Sequence, residues 1–551
     1  MDVDIKNEIK KLVNGEVLDD NETLKKYSRD ASLFEVWPKL VVWPRNAEDI
    51  RKIIKFVANK KTEDKERYKN LSVTVRAAGS CMSGGSLSES IILDVTKYLN
   101  KFSVSKNEQK AEVEPGVFYR DFEPETLKQG LILPCYTASK NLCALGGMIG
   151  NNAAGEKTLF YGKMENFVEE LEVVLADGSE CLFRAVPRQE ALRKSHEHTF
   201  EGAIYERMMR LIDENREIIN KARPKVSKNS AGYYLWNVER NALFDLTRIL
   251  IGSQGTLGIV TRAKLKLVPI KPKSKLLIIL MKDIQKLGYL VNIILKYQPE
   301  SVESYDDATL KLAVRFFPEI LAIMKSKFLK IMWQFLPEAL MVLTGGMPKL
   351  VLMVEFSGKE DEEIDQRMEK LNQEIKKMGF KTRKTRSAQD AEKYWTIRRE
   401  SFNLLRKHVR GKRTAPFIDD ICVEPKHLPK FLPKLRKMLD DAKLTYTIAG
   451  HAGNGNFHII PLMNMAEPKN RALIPFLSDK VYDLVHEYGG SITAEHNDGI
   501  VRTPYLGKMY SPEILHLFEE TKKIFDPQGI FNPGKKVHGS VDYMVAHLAK
   551  N

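Results

Sequence analysis

Short apolar runs alternate with amphipathic stretches along the first half of the chain. The run LVVWP, from Leu40, is followed by AEDIRKIIKFVANK, whose apolar residues recur at the spacing of one helix face, and then by the strand-like LSVTVRAAG. Two more strands, SIILDVTKY and AEVEPGV, follow, and the charged KKTEDKERYKN predicts a loop. These runs, punctuated by glycine, predict an α+β nucleotide-binding domain over residues 38–270, after a helical lead-in over residues 1–37.

The second half is built from a different unit. An apolar strand precedes an amphipathic helix twice, as LLIILMKD with IQKLGYLVNIILKYQ and as VLMVEFSG with DEEIDQRMEKLNQEIKKMGF. Two such units predict a ferredoxin-like α+β cap, with helices on one face of an antiparallel sheet. We expect this cap over residues 271–540, with the boundary near residue 271.

An apolar helical segment at about residues 305–350 interrupts this pattern. Lysines and prolines break FFPEILAIMKSKFLKIMWQFLPEALMVLTGGMP, so it lacks the roughly 20 uninterrupted apolar residues that a membrane-spanning helix needs. A buried helical hairpin, a partner surface and peripheral membrane contact remain open, with burial or partner contact favoured over the membrane.

Composition limits the function classes. A chain of 551 residues is too long for a single hydrophobic core, so we expect two to four domains. A hydrophobic content of 43% predicts a globular chain. A net charge of +15 suits an anionic substrate, an anionic membrane surface or nucleic acid, although a lysine-rich solvated surface is the simpler explanation. Because the sequence has no zinc-finger spacing, RNA-recognition signature or basic-aromatic tract, we expect no nucleic-acid function.

The cysteines and the first residues bear on the compartment. The five cysteines are Cys81, Cys135, Cys143, Cys181 and Cys422. They form no C-x-x-C pair and indicate free thiols in a reducing cytosol. The start, MDVDIKNEIKKLVNG, lacks the apolar core of a signal peptide. We therefore expect a cytoplasmic protein, with peripheral contact at the inner face of a membrane as an alternative.

The strongest candidate for chemistry is HAGNGNFH, from His451 to His458, together with a later AEH segment. The Asn-Gly pair between the histidines predicts a hairpin, because both residues tolerate the positive φ of a type I′ turn. A two-residue loop would place His451 directly opposite His458, with β-carbons roughly 4.5–5.5 Å apart. Glu495 would complete a His/His/Glu metal set with an open position for substrate, as in catalytic zinc sites, and His496 would be free to act as a base. The alternative is a pair of ordinary half-buried or surface histidines.

A glycine- and serine-rich stretch, RAAGSCMSGGS, follows a predicted strand. Its backbone N–H groups could cradle a pyrophosphate. It fits neither the Walker pattern nor G-x-G-x-x-G, so on its own it would favour tight turns in an irregular domain.

Several motifs together identify a family. RAAGSCMSGG, LGGMIGNNAAGEKTLFYG, IGSQGTLGIV, YWTIRRE, HAGNGNFH, GGSITAEHNDGIVR and IFDPQGIFNPGKK, in this order, resemble the FAD-linked oxidases, whose members include D-lactate, glycolate and D-2-hydroxyglutarate dehydrogenases. The resemblance covers roughly residues 27–537. It implies a two-part FAD-binding domain of the PCMH type, followed by the substrate cap.

The resemblance also implies which residues contact FAD. They are Arg76, Ala77, Ala78, Gly79, Ser80, Cys81, Ser83, Gly84, Gly85, Pro134, Gly146, Gly147, Asn151, Asn152, Gly155, Tyr161, Gly162, Gly252, Gly255, Thr256, Gly258, Ile259 and Val260. We expect non-covalent FAD, because no histidine or cysteine aligns with a flavin-linking position. Gln254 stands where members commonly carry glutamate, Asn497 replaces a common glycine, and PCYTAS, from Pro134, lacks the usual acidic residue and second proline.

The implied activity is FAD-dependent oxidation of a 2-hydroxy acid to the 2-oxo acid. Arg398 in YWTIRRE would bind the substrate carboxylate, since a guanidinium matches a carboxylate bidentately. Without the Trp395-x-x-Arg398 match to the family, a surface arginine on a charged helix would be the favoured explanation. A metal on His451, His458 and Glu495, zinc or alternatively manganese, would polarise the substrate, and His496, titrating near neutrality, would take the hydroxyl proton.

The resemblance leaves the substrate and the electron acceptor less defined. Phe402 and Ile460 stand where hydroxyglutarate members carry polar residues, which favours a short or apolar, D-lactate-like acid. GGSITAEHNDGIVRTPYL and DDICVEP are most similar to members that carry a fused iron-sulfur domain, so we expect a separate iron-sulfur subunit or another electron carrier. Two alternatives remain, a metal-free flavin oxidase of a sugar, lactone or alcohol, and a non-catalytic flavoprotein subunit.

Overall fold

The computed structural model describes residues 3–316, 318–319, 346–408 and 411–550. Most of the apolar segment predicted at about residues 305–350 lies outside these ranges, so its predicted roles stay predictions. None of the described helices combines the length and apolar character needed to cross a membrane.

Two main sheets form the first half of the chain, and the predicted strands are confirmed. A four-stranded sheet, in the order β1-β2-β4-β3, contains Glu16–Leu18 (β1), Leu40–Trp43 (β2), Val73–Arg76 (β3) and Ile91–Asp94 (β4). A five-stranded sheet, in the order β5-β6-β13-β8-β9, contains Phe102–Ser105 (β5), Lys110–Val113 (β6), Val168–Val174 (β8), Glu180–Arg184 (β9) and Ile259–Lys266 (β13). A short ladder joins Leu131–Ile132 (β7) to Val268–Pro269 (β14). A small three-stranded sheet, in the order β10-β12-β11, contains Val186–Pro187 (β10), Glu239–Arg240 (β11) and Leu243–Phe244 (β12).

The helices of this half surround the two sheets. They are Val3–Leu12 (α1), Asn21–Tyr27 (α2), Ala47–Glu63 (α3), Tyr119–Lys128 (α4), Leu145–Asn151 (α5), Thr158–Tyr161 (α6), Arg188–Ser195 (α7), Phe200–Glu214 (α8), Arg216–Ala222 (α9) and Thr247–Leu250 (α10). The predicted helix after Leu40 is confirmed as α3, which starts at an Asn46 cap and packs its apolar face on the first sheet. The lead-in is more than helical, because β1 pairs antiparallel with β2.

A seven-stranded antiparallel sheet organises the second half. Its order is β18-β15-β17-β16-β21-β22-β20. Its strands are Lys273–Met281 (β15), Ser301–Asp306 (β16), Leu350–Gly358 (β17), Lys381–Lys384 (β18), Ile421–Cys422 (β20), Ile448–His451 (β21) and Asn456–Ile459 (β22). A separate ladder joins Arg413–Thr414 (β19) to Leu462–Met463 (β23).

Helices cover both faces of this sheet. They are Leu287–Lys296 (α11), Asp307–Arg315 (α12), Asp361–Lys377 (α13), Ala388–His408 (α14), Leu428–Asp441 (α15), Pro468–Glu487 (α16), Gly499–Arg502 (α17), Pro512–Phe525 (α18) and Val541–Ala546 (α19). The α+β cap is confirmed, but the expectation of helices on one face is wrong. Alternate residues of β15 face α11 and α13 on one side and α12 and α14 on the other. Two-sided coverage explains why every residue of β17 is buried.

The last residues return to the first sheet. The amide of Val73 in β3 donates to the carbonyl of Ile530, and the amide of Asn532 donates back to Val73. Ile530 and Phe531 join the core beneath that sheet. The predicted domain limits at residues 37, 270 and 540 stay predictions. The sequence did not predict this contact between the end of the second half and the first sheet.

Candidate active site

Strands β21 and β22 form the hairpin that carries both histidines of HAGNGNFH. His458 pairs with Ala449 rather than with His451, so the predicted direct opposition is wrong. The connection is a 3-10 turn over Ala452–Asn454 followed by Gly455, and within it only Gly455 has a positive φ, of 69°. A type I′ turn would need positive φ at two residues. The offset is two residues, which keeps both imidazoles on one face, and their ring centroids lie 5.3 Å apart.

The two histidines and Glu495 meet at one point. Nε2 of His451 lies 3.2 Å from Oε1 of Glu495, and Nε2 of His458 lies 3.1 Å from the same oxygen. Because zinc binds such atoms at about 2.0–2.2 Å, the ligand atoms of a tetrahedral ion lie roughly 3.3–3.6 Å apart. The separation of each histidine nitrogen from Oε1 of Glu495 is therefore close to that of two ligands of one divalent cation. Burial alone would raise the pKa of Glu495, but Lys228 and His451 lower it well below its usual range, which keeps the carboxylate ionised.

A neighbouring carboxylate, Asp420, shapes the loop that carries Glu495. Asp420, His458, Glu495 and His496 each offer one possible ligand atom within 4.8 Å of the others. Oδ2 of Asp420, however, already accepts hydrogen bonds from the backbone amides of residues 494–496 and from the Thr493 hydroxyl. These four donors leave this oxygen little capacity for a cation. Oδ1 of Asp420 accepts from the side-chain amide of Asn456. His451 is outside this group of four, but its Nε2 lies 3.2 Å from Glu495, and we retain His451, His458 and Glu495 as the candidate ligands.

His496 faces the same space. Its ring stacks on His458 with centroids 5.1 Å apart, and its Nδ1 lies 2.9 Å from Oδ1 of Asp419. Buried Arg502 donates to the same oxygen, which fixes Asp419 in place. The Nδ1 proton is thereby held, so Nε2 is the nitrogen that can accept a proton. Burial alone would lower the pKa of His496, but Asp419 and Asp420 raise it to about 9, above the near-neutral value expected from the sequence.

Sequence reasoning gave no role to two buried charges behind this set. Glu303 in β16 accepts a hydrogen bond from Nδ1 of His451 at 2.6 Å and pairs with the guanidinium of Arg398. Fully buried Lys228 lies 3.2 Å from Oε2 of Glu495. Glu303 is 148 residues from His451 in the chain, and Lys228 is 267 residues from Glu495. The one available signal was an acidic residue inside the apolar-flanked strand SVESYD.

One cavity runs from the glycine-rich segments to the histidines. Its wall includes Asp419, His458, Ile460, Glu495 and His496. The predicted cofactor residues in the wall are Ala77, Ala78, Gly79, Ser80, Cys81, Gly85, Gly146, Gly147, Asn151, Gly255, Gly258 and Val260. The others lie outside this wall and are Arg76, Ser83, Gly84, Pro134, Asn152, Gly155, Tyr161, Gly162, Gly252, Thr256 and Ile259. Arg398 and His451 are not among the residues of this wall, and both contact Glu303.

Two glycines of α5 show where the cavity has room for a ligand close to the backbone. A Cβ on Gly147 would meet no heavy atom nearer than 3.6 Å, and one on Gly150 none nearer than 3.9 Å. Both residues line the cavity. At Gly146, in contrast, a Cβ would lie 2.6 Å from the side chain of Pro115. The protein itself therefore requires glycine at 146 but not at 147 or 150, where the missing side chain leaves room for close approach of a ligand.

Two departures from the resembled family fit their surroundings. Gln254 donates to the hydroxyl of Ser83 at 3.2 Å and accepts from the amide of Gly499 at 2.8 Å. A glutamate could accept the second hydrogen bond but could not donate the first. Asn497 has φ of 69°, the left-handed region that glycine adopts freely and asparagine tolerates, and its amide donates to the carbonyl of Gly252. Asn497 thus keeps the left-handed backbone conformation that the family's glycine would adopt at this position.

Comparison with known proteins places the two halves in described families. The family "FAD linked oxidases, C-terminal domain" matches residues 271–536, and "FAD binding domain" matches residues 38–182. The D-2-hydroxyglutarate dehydrogenase of Escherichia coli is 27% identical over 523 residues, which are 92% of this chain but 49% of that protein. The chain thus spans about half the length of this relative.

Two further comparisons cover nearly the whole chain. The D-lactate dehydrogenase of Archaeoglobus fulgidus is 26% identical over 500 residues, which are 90% of this chain and 91% of that protein. The solved structure of 4-ethylphenol oxidase from Gulosibacter chungangensis superposes with a TM-score of 0.68 at 16% identity and covers 98% of each chain. At that identity the likeness establishes the fold alone.

Proposed function

This chain belongs to the FAD-linked oxidase family, and from that premise we propose that it is an FAD-dependent dehydrogenase that oxidises a 2-hydroxy acid to the 2-oxo acid, assisted by a divalent cation. The observation that carries the proposal is the single cavity that joins the predicted cofactor segments to His458, Glu495 and His496. Hydride and proton must leave neighbouring atoms of a hydroxy acid, so their acceptors must share one cavity.

FAD is the cofactor of this family, and the room beside Gly147 and Gly150 supports its place in the cavity. When bound, FAD would supply the two-electron redox chemistry that oxidation of a 2-hydroxy acid requires. The glycine-rich segments around Gly79, Gly147 and Gly255 would hold it through backbone amides and close approach. We propose that the binding is non-covalent.

A divalent cation fits the atoms of His451, His458 and Glu495. Their spacing, the ionised state of Glu495 and the hydrogen bond from Nδ1 of His451 to Glu303 support this assignment, because metal-binding histidines usually donate their second N–H to a carboxylate. Bound there, zinc or manganese would act as a Lewis acid on the hydroxyl and carboxylate oxygens of the substrate. The nitrogen and carboxylate donors favour zinc.

Two residues would act on the substrate directly. His496, with its Nδ1 proton held by Asp419, would accept the hydroxyl proton at Nε2 in its neutral form, which a pKa of about 9 makes the minor form at neutral pH. Arg398 would bind the substrate carboxylate with guanidinium nitrogens that Glu303 leaves available, since a guanidinium carries five N–H donors. Nε of Arg398 is buried without a hydrogen-bond partner among the described residues, which supports this role.

Ile460 is the observation that bears on the substrate side chain. It lines the cavity beside His458 and offers no hydrogen bond to a second carboxylate. We therefore propose a short or apolar 2-hydroxy acid of the lactate type rather than a dicarboxylate. The second position used in the sequence prediction, Phe402, has a side chain outside the described part of the structure.

The electron acceptor and the compartment are further proposals. We propose an iron-sulfur protein or another electron carrier as acceptor, on the resemblance to members with a fused iron-sulfur domain. The five cysteines are free thiols, which supports a reducing, cytoplasmic compartment.

Anaerobic flavin reduction tests the proposal. FAD-loaded protein, supplied with zinc or manganese, is mixed with D- and L-lactate, glycolate, D- and L-2-hydroxyglutarate, a sugar, a lactone and a primary alcohol while the flavin absorbance is followed. We expect bleaching by a 2-hydroxy acid, fastest with a short or apolar one. Bleaching only by the sugar, lactone or alcohol would contradict the proposed substrate class, and bleaching by none would favour a non-catalytic flavoprotein.

A further inference from the structure

Glu303 touches both halves of the proposed substrate site. It lies on β16, between β17 and β21, and is fully buried. Its Oε1 accepts a hydrogen bond from Nδ1 of His451 at 2.6 Å, and its carboxylate pairs with Arg398, whose side chain is 7% exposed. One carboxylate therefore contacts a candidate cation ligand and the candidate carboxylate clamp.

Burial makes both contacts strong constraints. An unpaired buried carboxylate is strongly unfavourable, so its cationic and hydrogen-bonding partners are held close to it. Acceptance by Glu303 fixes the proton of His451 on Nδ1, and Nε2 then presents its lone pair toward Glu495 and His458. The same carboxylate holds the guanidinium of Arg398 beside the imidazole.

A 2-hydroxy acid needs such a link, because its hydroxyl and carboxylate sit on adjacent carbons. The groups that bind them must keep a fixed and short separation. His451 lies on β21 and Arg398 on α14, and β16 is the element that contacts both through Glu303.

We propose that Glu303 is a positioning residue that holds His451 in its cation-binding orientation and Arg398 at the distance required by a 2-hydroxy acid. This inference rests on the proposed function. It predicts that loss of the Glu303 charge weakens cation binding and substrate binding together, although Glu303 itself would contact neither the cation nor the substrate.

The test is the variant Glu303→Gln, which keeps the size of the side chain and removes its charge. A matched control is Glu355→Gln on the adjacent β17, a buried carboxylate that accepts from Ser274 and Ser301. Zinc affinity is measured on FAD-loaded, metal-stripped protein by competition with a chromophoric chelator, and His451→Ala defines adventitious zinc. We expect Glu303→Gln to bind zinc at least about tenfold more weakly, within the roughly 10- to 100-fold range for such outer contacts, and the control to be unchanged.

Further variants separate the two contacts and guard against misfolding. Arg398→Gln alone should leave zinc affinity unchanged. The double variant Glu303→Gln with Arg398→Gln leaves no unpaired guanidinium, and it should lose zinc affinity to the same extent as Glu303→Gln. Glu303→Gln should also raise KM for the acid that best bleaches the wild-type flavin.

Zinc affinity equal to that of Glu355→Gln, or an unchanged KM, would overturn the inference. If wild type bleaches with the acid but binds no zinc or manganese, the inference and the metal assignment fail while the dehydrogenase proposal stands, and if it does not bleach, the proposed function itself fails.

Discussion

Alanine in place of Gly147 should stabilise the apoprotein and weaken FAD binding. Gly147 lies in helix α5 and lines the cavity, and a Cβ there would meet no heavy atom within 3.6 Å. The substitution therefore changes little in the empty protein except backbone entropy and helix propensity. With FAD in the place proposed for it, the added methyl group would occupy space that the cofactor needs.

The two effects have opposite signs and separate magnitudes. Glycine in a helix interior is about 0.8–1.0 kcal/mol less favourable than alanine, and because Gly147 lies in the first turn this is an upper limit for the gain in apoprotein stability. An extra methyl group in a well-packed space costs about 1–3 kcal/mol. Applied to FAD binding, this cost corresponds to a roughly 5- to 150-fold rise in Kd.

The assay combines thermal unfolding of the apoprotein with FAD titration followed by flavin fluorescence. Gly150→Ala, whose Cβ would have 3.9 Å of clearance, should behave similarly. Gly146→Ala is the control for stability alone. Its Cβ would lie 2.6 Å from Pro115, so this variant should lower the Tm of the apoprotein instead of raising it. Unchanged FAD affinity in Gly147→Ala and Gly150→Ala would refute the place assigned to the cofactor beside α5.

Other predictions concern the chemistry of the site. His451→Ala or His458→Ala should abolish turnover and lower zinc or manganese content while FAD stays bound, and full activity of either variant after chelation would contradict the metal assignment. Arg398→Lys loses the planar fork and should mainly weaken binding of the hydroxy acid. His496→Asn should mainly slow flavin reduction at saturating acid, by roughly 10²–10⁴-fold, and equal effects of both variants on affinity and limiting rate in anaerobic single turnovers would show the assigned roles to be wrong. Acid precipitation should release the yellow cofactor into the supernatant, and colour retained in the pellet would show a covalent link.

Local patterns predicted the strands and helices of the fold. The helix after Leu40 and the strand-helix units of the cap are long and strongly periodic, and they are confirmed. Strand β1 was missed because Glu16–Leu18 is too short to show a period, and its partner β2 lies more than 20 residues further on. The second helical layer of the cap was missed because two-sided burial gives a continuous apolar run such as β17, which does not say what covers each face.

The candidate site divides in the same way. His451 and His458 share a face in spite of the wrong register, because a two-residue shift preserves the side of a strand. The loop length depends on the 3-10 turn before Gly455, which an Asn-Gly pair does not reveal. Glu303 and Lys228 reach the site only through long-range packing, which no local spacing encodes.

Flavin reduction before and after removal of the metal tests directly whether a bound cation assists oxidation of the hydroxy acid. FAD-loaded protein is treated with a chelator, the chelator is removed, and one preparation is mixed anaerobically with the best 2-hydroxy acid with and without added zinc or manganese. The account predicts that the stripped protein keeps its FAD but bleaches far more slowly, and that the added cation restores the rate. Bleaching of the stripped protein at an unchanged rate would contradict a site in which His451, His458 and Glu495 hold a cation that assists the reaction.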